Sequence, residues 1–213
     1  MRALSSIEKW LQTQNLMTLE TQESFNSIRK VLEEIEDVGG EKLSELPPPA
    51  EISDDAGAIA LYSDGGCRGN PGPGACAYVV QDHSGKILTE GVEFESITTN
   101  NKMELTGPIK GLSDLREMLP LIGKDPLLTK VKVITDSKYV VDGMKSWVGG
   151  WKARGWKKAD NKTPENVELW QKLDSIKNSF MQIEWVWVRG HGGHPQNEYC
   201  DRKANETMDE NIR

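Results

Sequence analysis

Asp64 closes the run Ala58–Ser63, and Asp136 closes the run Val131–Thr135. Both runs are apolar, β-branched or aromatic and give way at once to small polar residues, which is the signature of short strands. An acid at such a point stands at one edge of a sheet. Two acids side by side repel each other unless a cation lies between them. A hard divalent metal held by oxygen ligands is the chemistry this pair would serve. The structural alternative for Asp136 is a helix cap, a role Ser137 could share.

Other residue types cluster around these two acids. The stretch Asp64-Gly-Gly-Cys-Arg-Gly-Asn-Pro-Gly-Pro-Gly74 is dense in Gly and Pro. Glycine lets a backbone approach a bulky anion, and Asn70 can donate to a phosphate, although a tight turn between paired strands explains the stretch as well. It lacks the Gly-Lys-Ser/Thr of a nucleoside-triphosphate loop. Thr98-Thr-Asn-Asn-Lys-Met-Glu104 opens a helix, with Glu104 one turn inside. Residues 145–158 interleave Trp147, Trp151 and Trp156 with five basic residues and no acid. Aromatic faces and cations at such spacing suit sugars, bases and phosphates, while the tryptophans also stiffen whatever carries them. His191 and His194 lie in a Gly-rich loop, where a histidine titrates near neutral pH and can pass a proton. Asp201 follows at the start of the last helix, where it also favours the helix dipole.

The elements that must position these residues are legible in outline. Strands are expected at 58–63, 75–82, 86–94, 130–135 and 182–189, and helices at 100–118, 137–146, 164–178 and about 196–208. Pro108 sits well inside the first of these helices and is expected to kink it or remove one backbone hydrogen bond. Hairpins followed by strand–helix alternation imply an α/β fold, a mixed sheet with helices on its faces. Upstream, 1–46 reads as an acidic helical appendage, with Ser5-Ser-Ile-Glu8 at capping-box spacing and a stripe through Phe25, Ile28 and Ile35 that ends at Gly39-Gly40. Residues 47–57 are Pro-rich, then acidic, and read as a linker to a domain at 58–213.

The chain has 213 residues, 37% hydrophobic and 28% charged, which fits a soluble globular protein. No apolar run approaches the ~20 residues that span a bilayer, and the N-terminus has no signal-type apolar core, so no membrane partner and a cytoplasmic setting are expected. Cys67, Cys76 and Cys200 suit reduced thiols and lack zinc-site spacing. The net charge of −7 argues at first against a nucleic-acid partner. Residues 1–58, however, hold 5 of the 26 basic and 12 of the 33 acidic residues, which leaves the remainder balanced. Local charge decides whether a polyanion docks, and 145–158 is locally basic.

Taken in order, the motifs at 62–74, Thr99-Asn-Asn-Lys-Met-Glu-Leu105, Thr135-Asp-Ser-Lys-Tyr-Val140, Trp151-Lys-Ala-Arg-Gly-Trp156 and Gly190-His-Gly-Gly-His-Pro-Gln-Asn-Glu-Tyr-Cys-Asp201 closely resemble type 1 ribonuclease H in its bacterial form. The resemblance covers about 58–208. It implies a ribonuclease H-like fold, with a five-stranded mixed sheet (three antiparallel strands first, then parallel ones) flanked by helices. It also implies an endonuclease that hydrolyses the RNA strand of RNA–DNA hybrids to 5′-phosphate and 3′-hydroxyl ends. Asp64, Glu104, Asp136 and Asp201 match the family's metal-binding carboxylates, for two Mg²⁺ or Mn²⁺ ions. His191 matches the histidine that moves protons or helps product leave, and His194 a support of that loop. Asn70, Thr99, Asn100 and Asn101 match positions that hold phosphates or read the minor groove. Trp147, Trp151, Lys152, Arg154, Trp156, Lys157 and Lys158 match the protrusion that grips the DNA strand.

Three features depart from the pattern. Lys138 stands where relatives often carry Gln, Gly107-Pro108 interrupts a helix that usually runs on, and 1–46 is unlike the basic hybrid-binding module of some relatives. The acidic segment would repel nucleic acid, so its expected partner is a protein, and the catalytic domain is expected to be a monomer. The competing readings are another nuclease of the same fold and a non-catalytic hybrid-binding protein. All four carboxylates being present argues against a decayed site.

Overall fold

The computed structural model describes residues 11, 13, 16–18, 21–28 and 46–212. The chain divides into two compact units, Met1–Glu45 and Leu46–Arg213. In the first, residues 21–28 are helical and Thr18 Oγ1 accepts the Thr21 N–H at 3.1 Å. The capping box at Ser5 and the helix stop at Gly39-Gly40 lie outside the described residues.

The second unit is built on five strands: β1 (Ile59–Cys67), β2 (Gly72–Asp82), β3 (Ile87–Thr98), β4 (Lys130–Thr135) and β5 (Gln182–Trp187). Their order across the sheet is β3-β2-β1-β4-β5. β1, β2 and β3 pair antiparallel, and β4 and β5 add in parallel to β1. This is the sheet the sequence implied. Helix α1 (Asn100–Leu121) covers one face. α2 (Lys138–Asp142) runs through a π-type turn, Gly143–Trp147, into α3 (Val148–Ala153), and α4 (Val167–Lys177) packs against α1. α5 (Pro195–Asn211) covers the opposite face.

β1 is central and buried on both faces, which is why its sequence is continuously apolar rather than alternating. Ile59 and Leu61 join Leu105, Leu112 and Trp170 in the core on the α1 side. Ala60 and Tyr62 join Cys200, Ala204 and Met208 on the α5 side. Side chains alternate along a strand, so Asp64, two residues past Tyr62, projects to the α5 side.

Several expectations need correcting. The strand expected to stop at Ser63 continues to Cys67, because Asp64 pairs with Ala77 and Cys67 with Gly74. Only the tip between Cys67 and Gly72 turns, so Asp64 lies within a strand instead of at its end. The glycines lack the side chains that signal a strand, but their backbones still pair. β3 likewise runs four residues further than expected, to Thr98. α1 runs unbroken through Pro108 and on to Leu121; Gly107 and Pro108 are both buried in it. The helical run after Ser137 ends at Ala153, not 146. The Pro-rich segment is no free linker: Leu46 packs on the α5-side core, the 3-10 turn Ala50–Ile52 puts Ile52 inside it at 1% exposure, and the Pro47 carbonyl accepts from Gln196 Nε2 at 2.7 Å.

Candidate active site

The two parallel strands β1 and β4 carry their acids to the same end of the sheet. Ile134 faces the α5 side, so Asp136, two residues on, faces the same way as Asp64. α5 brings Asp201 from above that face. α1 starts at this end of β1, and a Cβ at Gly65 would lie 2.6 Å from the Met103 carbonyl carbon. The bare backbone at Gly65 is therefore what lets Glu104, the next residue of the helix, approach Asp64. Gly190 does the same for Asp136, whose carboxylate a side chain there would strike.

Asp64, Glu104, Asp136 and Asp201 line one cavity of about 320 Å³, together with Asn100, His191, Cys67, Arg68 and Asn205. Each acid has its own restraint. Asp64 Oδ1 accepts the Gly65 N–H at 2.7 Å. Glu104 is held at both oxygens, by Asn100 Nδ2 at 2.8 Å and by Ser137 Oγ at 2.7 Å. The Asp136 carbonyl accepts from Trp187 Nε1 at 2.9 Å. Asp201 Oδ1 accepts from Asn205 Nδ2, one turn later on α5, at 2.9 Å. His191 Nδ1 stands 3.9 Å from Asp201 Oδ2, and its side chain is 81% exposed to solvent.

The acids feel one another. Burial, then the charge of Asp136, push the Asp64 carboxyl up to about 7, with Asp201 and Glu104 adding to the push. Burial also raises Asp136, with Asp201 adding and the His191 charge opposing. Burial raises Glu104 despite its hydrogen bond from Ser137. Among the described residues, no three of these side chains form a closed metal cage; they share the walls of the cavity. The donor set nonetheless fits a hard divalent cation. It is carboxylate oxygen throughout, and the one arginine on the cavity wall, Arg68, is ion-paired with Asp209.

The remaining residues singled out in the sequence divide. Asn100 lines the cavity, but its amide is spent on Glu104. Thr99 is the N-cap position of α1 without a side-chain cap bond, and Asn101 is half-buried beside it. Asn70 is at the exposed hairpin tip, with Cys67 Sγ 3.9 Å from its Oδ1. Trp147 and Trp151 meet at a tilt and both pack edge-on against the fully buried Trp170, and Trp156 packs on the same core. Lys152 is committed to Asp174 at 2.8 Å, Lys157 to Thr163 Oγ1 at 2.8 Å, and Arg154 to the Lys157 carbonyl at 3.3 Å. Lys158 lines an open cleft with Trp147, Trp151 and Arg154. Lys138 places its ammonium 4.8 Å from the centre of the Trp187 ring. Sequence reasoning missed Ser137 as a partner of Glu104, Asn205 as a partner of Asp201 and Trp187 as a partner of Asp136. Only the i, i+4 spacing of Asp201 and Asn205 carried a signal.

The sheet order β3-β2-β1-β4-β5 thus carries acids from the ends of two parallel strands and from two helices to one cavity. The RNase H family profile matches residues 56–209. A Ribonuclease H from Cupriavidus metallidurans is 48% identical over 148 residues, 69% of this chain and 92% of that protein. Among solved structures, LC9-RNase H1, described as a type 1 RNase H with the type 2 active-site motif, is 35% identical with a TM-score of 0.59, covering 73% of this chain and 74% of its own. LC11-RNase H1, solved in complex with RNA/DNA hybrid, is 28% identical with a TM-score of 0.57, covering 73% of this chain and 99% of its own. The chain belongs to the RNase H family and is a ribonuclease H enzyme.

Proposed function

We propose that the protein hydrolyses the RNA strand of RNA–DNA hybrids in a reaction that depends on Mg²⁺ or Mn²⁺ and leaves 5′-phosphate and 3′-hydroxyl ends. The observation that carries this reading is the convergence of Asp64, Glu104, Asp136 and Asp201 on one cavity, where burial and then the neighbouring acids raise the Asp64 pKa. The hybrid complex of LC11-RNase H1 supports the choice of substrate. The four carboxylates would hold the metal. Bound there, divalent ions make water a competent nucleophile near neutral pH and neutralise charge on the leaving oxygen.

The chain's own residues do the rest. Asn100 and Ser137 restrain both oxygens of Glu104, which holds that acid at the cavity wall before substrate arrives. His191, exposed and beside Asp201, is placed to carry a proton between the cavity and solvent. The tryptophan cluster gives the 147–158 protrusion a rigid base, and Lys158 is its cation for the DNA-strand phosphates. The three cysteines are free thiols, which supports a reducing, cytoplasmic setting.

The test is end chemistry. Fragments of a hybrid's RNA strand should resist labelling at their 5′ ends until treated with phosphatase, and should ligate through free 3′-hydroxyls. Cyclic or 3′-phosphate ends would overturn the reading, because both form when the 5′-oxygen leaves instead of the 3′-oxygen.

A further inference from the structure

Glu51 lies ahead of the segment that matches the RNase H family, which begins at 56. Its carboxylate nevertheless joins two elements of the site. Oε2 accepts the Tyr62 hydroxyl at 2.6 Å, and Oε1 pairs with His194 Nε2 at 2.7 Å. Both side chains of the latter pair are largely buried, Glu51 at 17% and His194 at 20% exposure. The Tyr62 and His194 rings also meet, with centroids 5.4 Å apart.

Each partner is close to the chemistry. Tyr62 precedes Asp64 by two residues on the same face of β1. His194 is the N-cap of α5, its Nδ1 accepting the Asn197 N–H at 3.5 Å, and Asp201 follows about two turns later on that helix. With Nδ1 as acceptor, Nε2 carries the proton that goes to Glu51. His191 is three residues before His194, across Gly192-Gly193, and both His191 and Gly193 have positive φ. The His191 ring is itself exposed, so its placement depends on the loop backbone. Two contacts pin that loop to the body: the Gly193 N–H to Glu198, and the His194 ring held by Glu51 and Tyr62.

We propose that Glu51 is a positioning residue for the hydrolytic reaction: by locking the His194 ring against β1, it sets the Gly190–His194 loop and holds His191 over the acid cavity. The proposal rests on the hydrolase reading above. A charge-assisted bond to an imidazole fixes the ring's orientation as well as its distance, which a packing contact would not.

The experiment uses the full chain carrying Glu51→Ala, Glu51→Gln, His191→Ala, or Glu51→Ala with His191→Ala. Hybrid cleavage is measured at saturating Mg²⁺, with imidazole ¹⁵N spectra and thermal melts alongside. Glu51→Ala should lower kcat about tenfold, in line with a displaced catalytic group, and leave KM within about twofold. Glu51→Gln keeps an acceptor for His194 and a donor for the Tyr62 oxygen, and should recover most of the loss. In the His191→Ala background, Glu51→Ala should add almost nothing, because the group it positions is gone. The His194 ring resonances should move in Glu51→Ala. Wild-type kcat in a folded Glu51→Ala protein would overturn the proposal, and so would losses that multiply in the double variant. If Glu51→Ala does not fold, Glu51→Asp replaces it, since the carboxylate withdrawn by one methylene should lower kcat, and unchanged kcat would overturn the proposal. An impaired His191→Ala beside an unimpaired Glu51→Ala defeats this inference alone, whereas a wild-type protein that leaves hybrid intact defeats the hydrolase reading with it.

Discussion

Ser137 Oγ donates to Glu104 Oε2 at 2.7 Å while accepting the Val140 N–H at 3.2 Å. One hydroxyl thus caps α2, immediately after Asp136, and restrains an acid that arrives from α1. Glu104 is thereby tied to the residue that follows Asp136, 33 positions away in sequence. Ser137→Ala removes both bonds. The lost cap should cost about 1 kcal/mol of stability by urea denaturation. The freed Glu104 should cost several-fold in kcat with KM nearly unchanged, because the interaction matters where charge develops. A variant that loses stability but keeps full kcat would show that the hydroxyl serves the helix alone.

Asp64→Asn separates stability from activity. The Asp64 pKa is raised from 3.8 to about 7 in the folded protein, by burial first and then by Asp136. Between those values the folded state holds a proton that the unfolded state has released, so metal-free stability falls as pH rises from about 4 to 7 and stays low above. Asn mimics the protonated acid and does not ionise. At pH 8 without metal, Asp64→Asn should therefore be more stable than wild type by roughly 1–3 kcal/mol, a gap that closes toward pH 4. Hybrid cleavage should be lost. Added Mg²⁺ should raise the wild-type melting temperature more than that of the variant.

How much of this was legible follows from the range of each contact. Asp64 and Asp136 were visible because a central strand writes a continuous apolar run, and the acid is where that run breaks. The extension of β1 to Cys67 was not visible, since Gly65 and Gly66 pair through backbone and show no strand preference. Glu104 and Asp201 looked like ordinary helix residues, and only the ordered set of motifs marked them. Glu51 was read as part of a linker because its partner His194 is 143 residues away, and no local pattern carries that distance. Lys152 was grouped with the substrate-facing cations for a similar reason: its partner Asp174 is on α4.

That last contact divides the basic protrusion. Asp174 is 6% exposed and is paired with Lys152 and Lys177, each at 2.8 Å. Lys152→Ala takes one partner from a buried carboxylate and should cost about 1 kcal/mol in stability, with a small effect on KM. Lys158→Ala should leave stability within about 0.5 kcal/mol and raise KM for hybrid. It should also lower the slope of log KM against log salt by roughly one, as one phosphate contact is lost. Stability and KM measured across a salt series distinguish the two, and equal salt slopes for both variants would contradict this division.

The Glu51–His194 pair makes stability depend on pH in a defined window. Burial works to raise the Glu51 carboxyl, but the hydrogen bonds from His194 and Tyr62 prevail and hold it down to about 2, against an ordinary 4.5. Its contribution is present above about 4.5 and lost as pH falls toward 2. The hydrogen bond to Glu51 raises the His194 pKa above its ordinary 6.5, so that contribution is full below 6.5 and fades as pH rises through the higher folded value. The pair is strongest between the two ordinary values. Urea denaturation should show Glu51→Gln less stable than wild type by about 2 kcal/mol at pH 5.5, with the difference gone near pH 2. A difference that persists unchanged at pH 2 would contradict the assignment.

If the four acids around one cavity hold the metal that the reaction needs, the RNA strand of a hybrid is cut only while that metal is bound. The most direct measurement is cleavage of the same sequence as RNA–DNA hybrid, double-stranded RNA and double-stranded DNA, each with Mg²⁺ and with excess chelator. Cutting of the RNA strand is expected in the hybrid alone, abolished by chelator and restored by Mg²⁺. Hybrid cutting that persists in chelator, or cutting of double-stranded RNA or DNA at a rate equal to the hybrid, would contradict it.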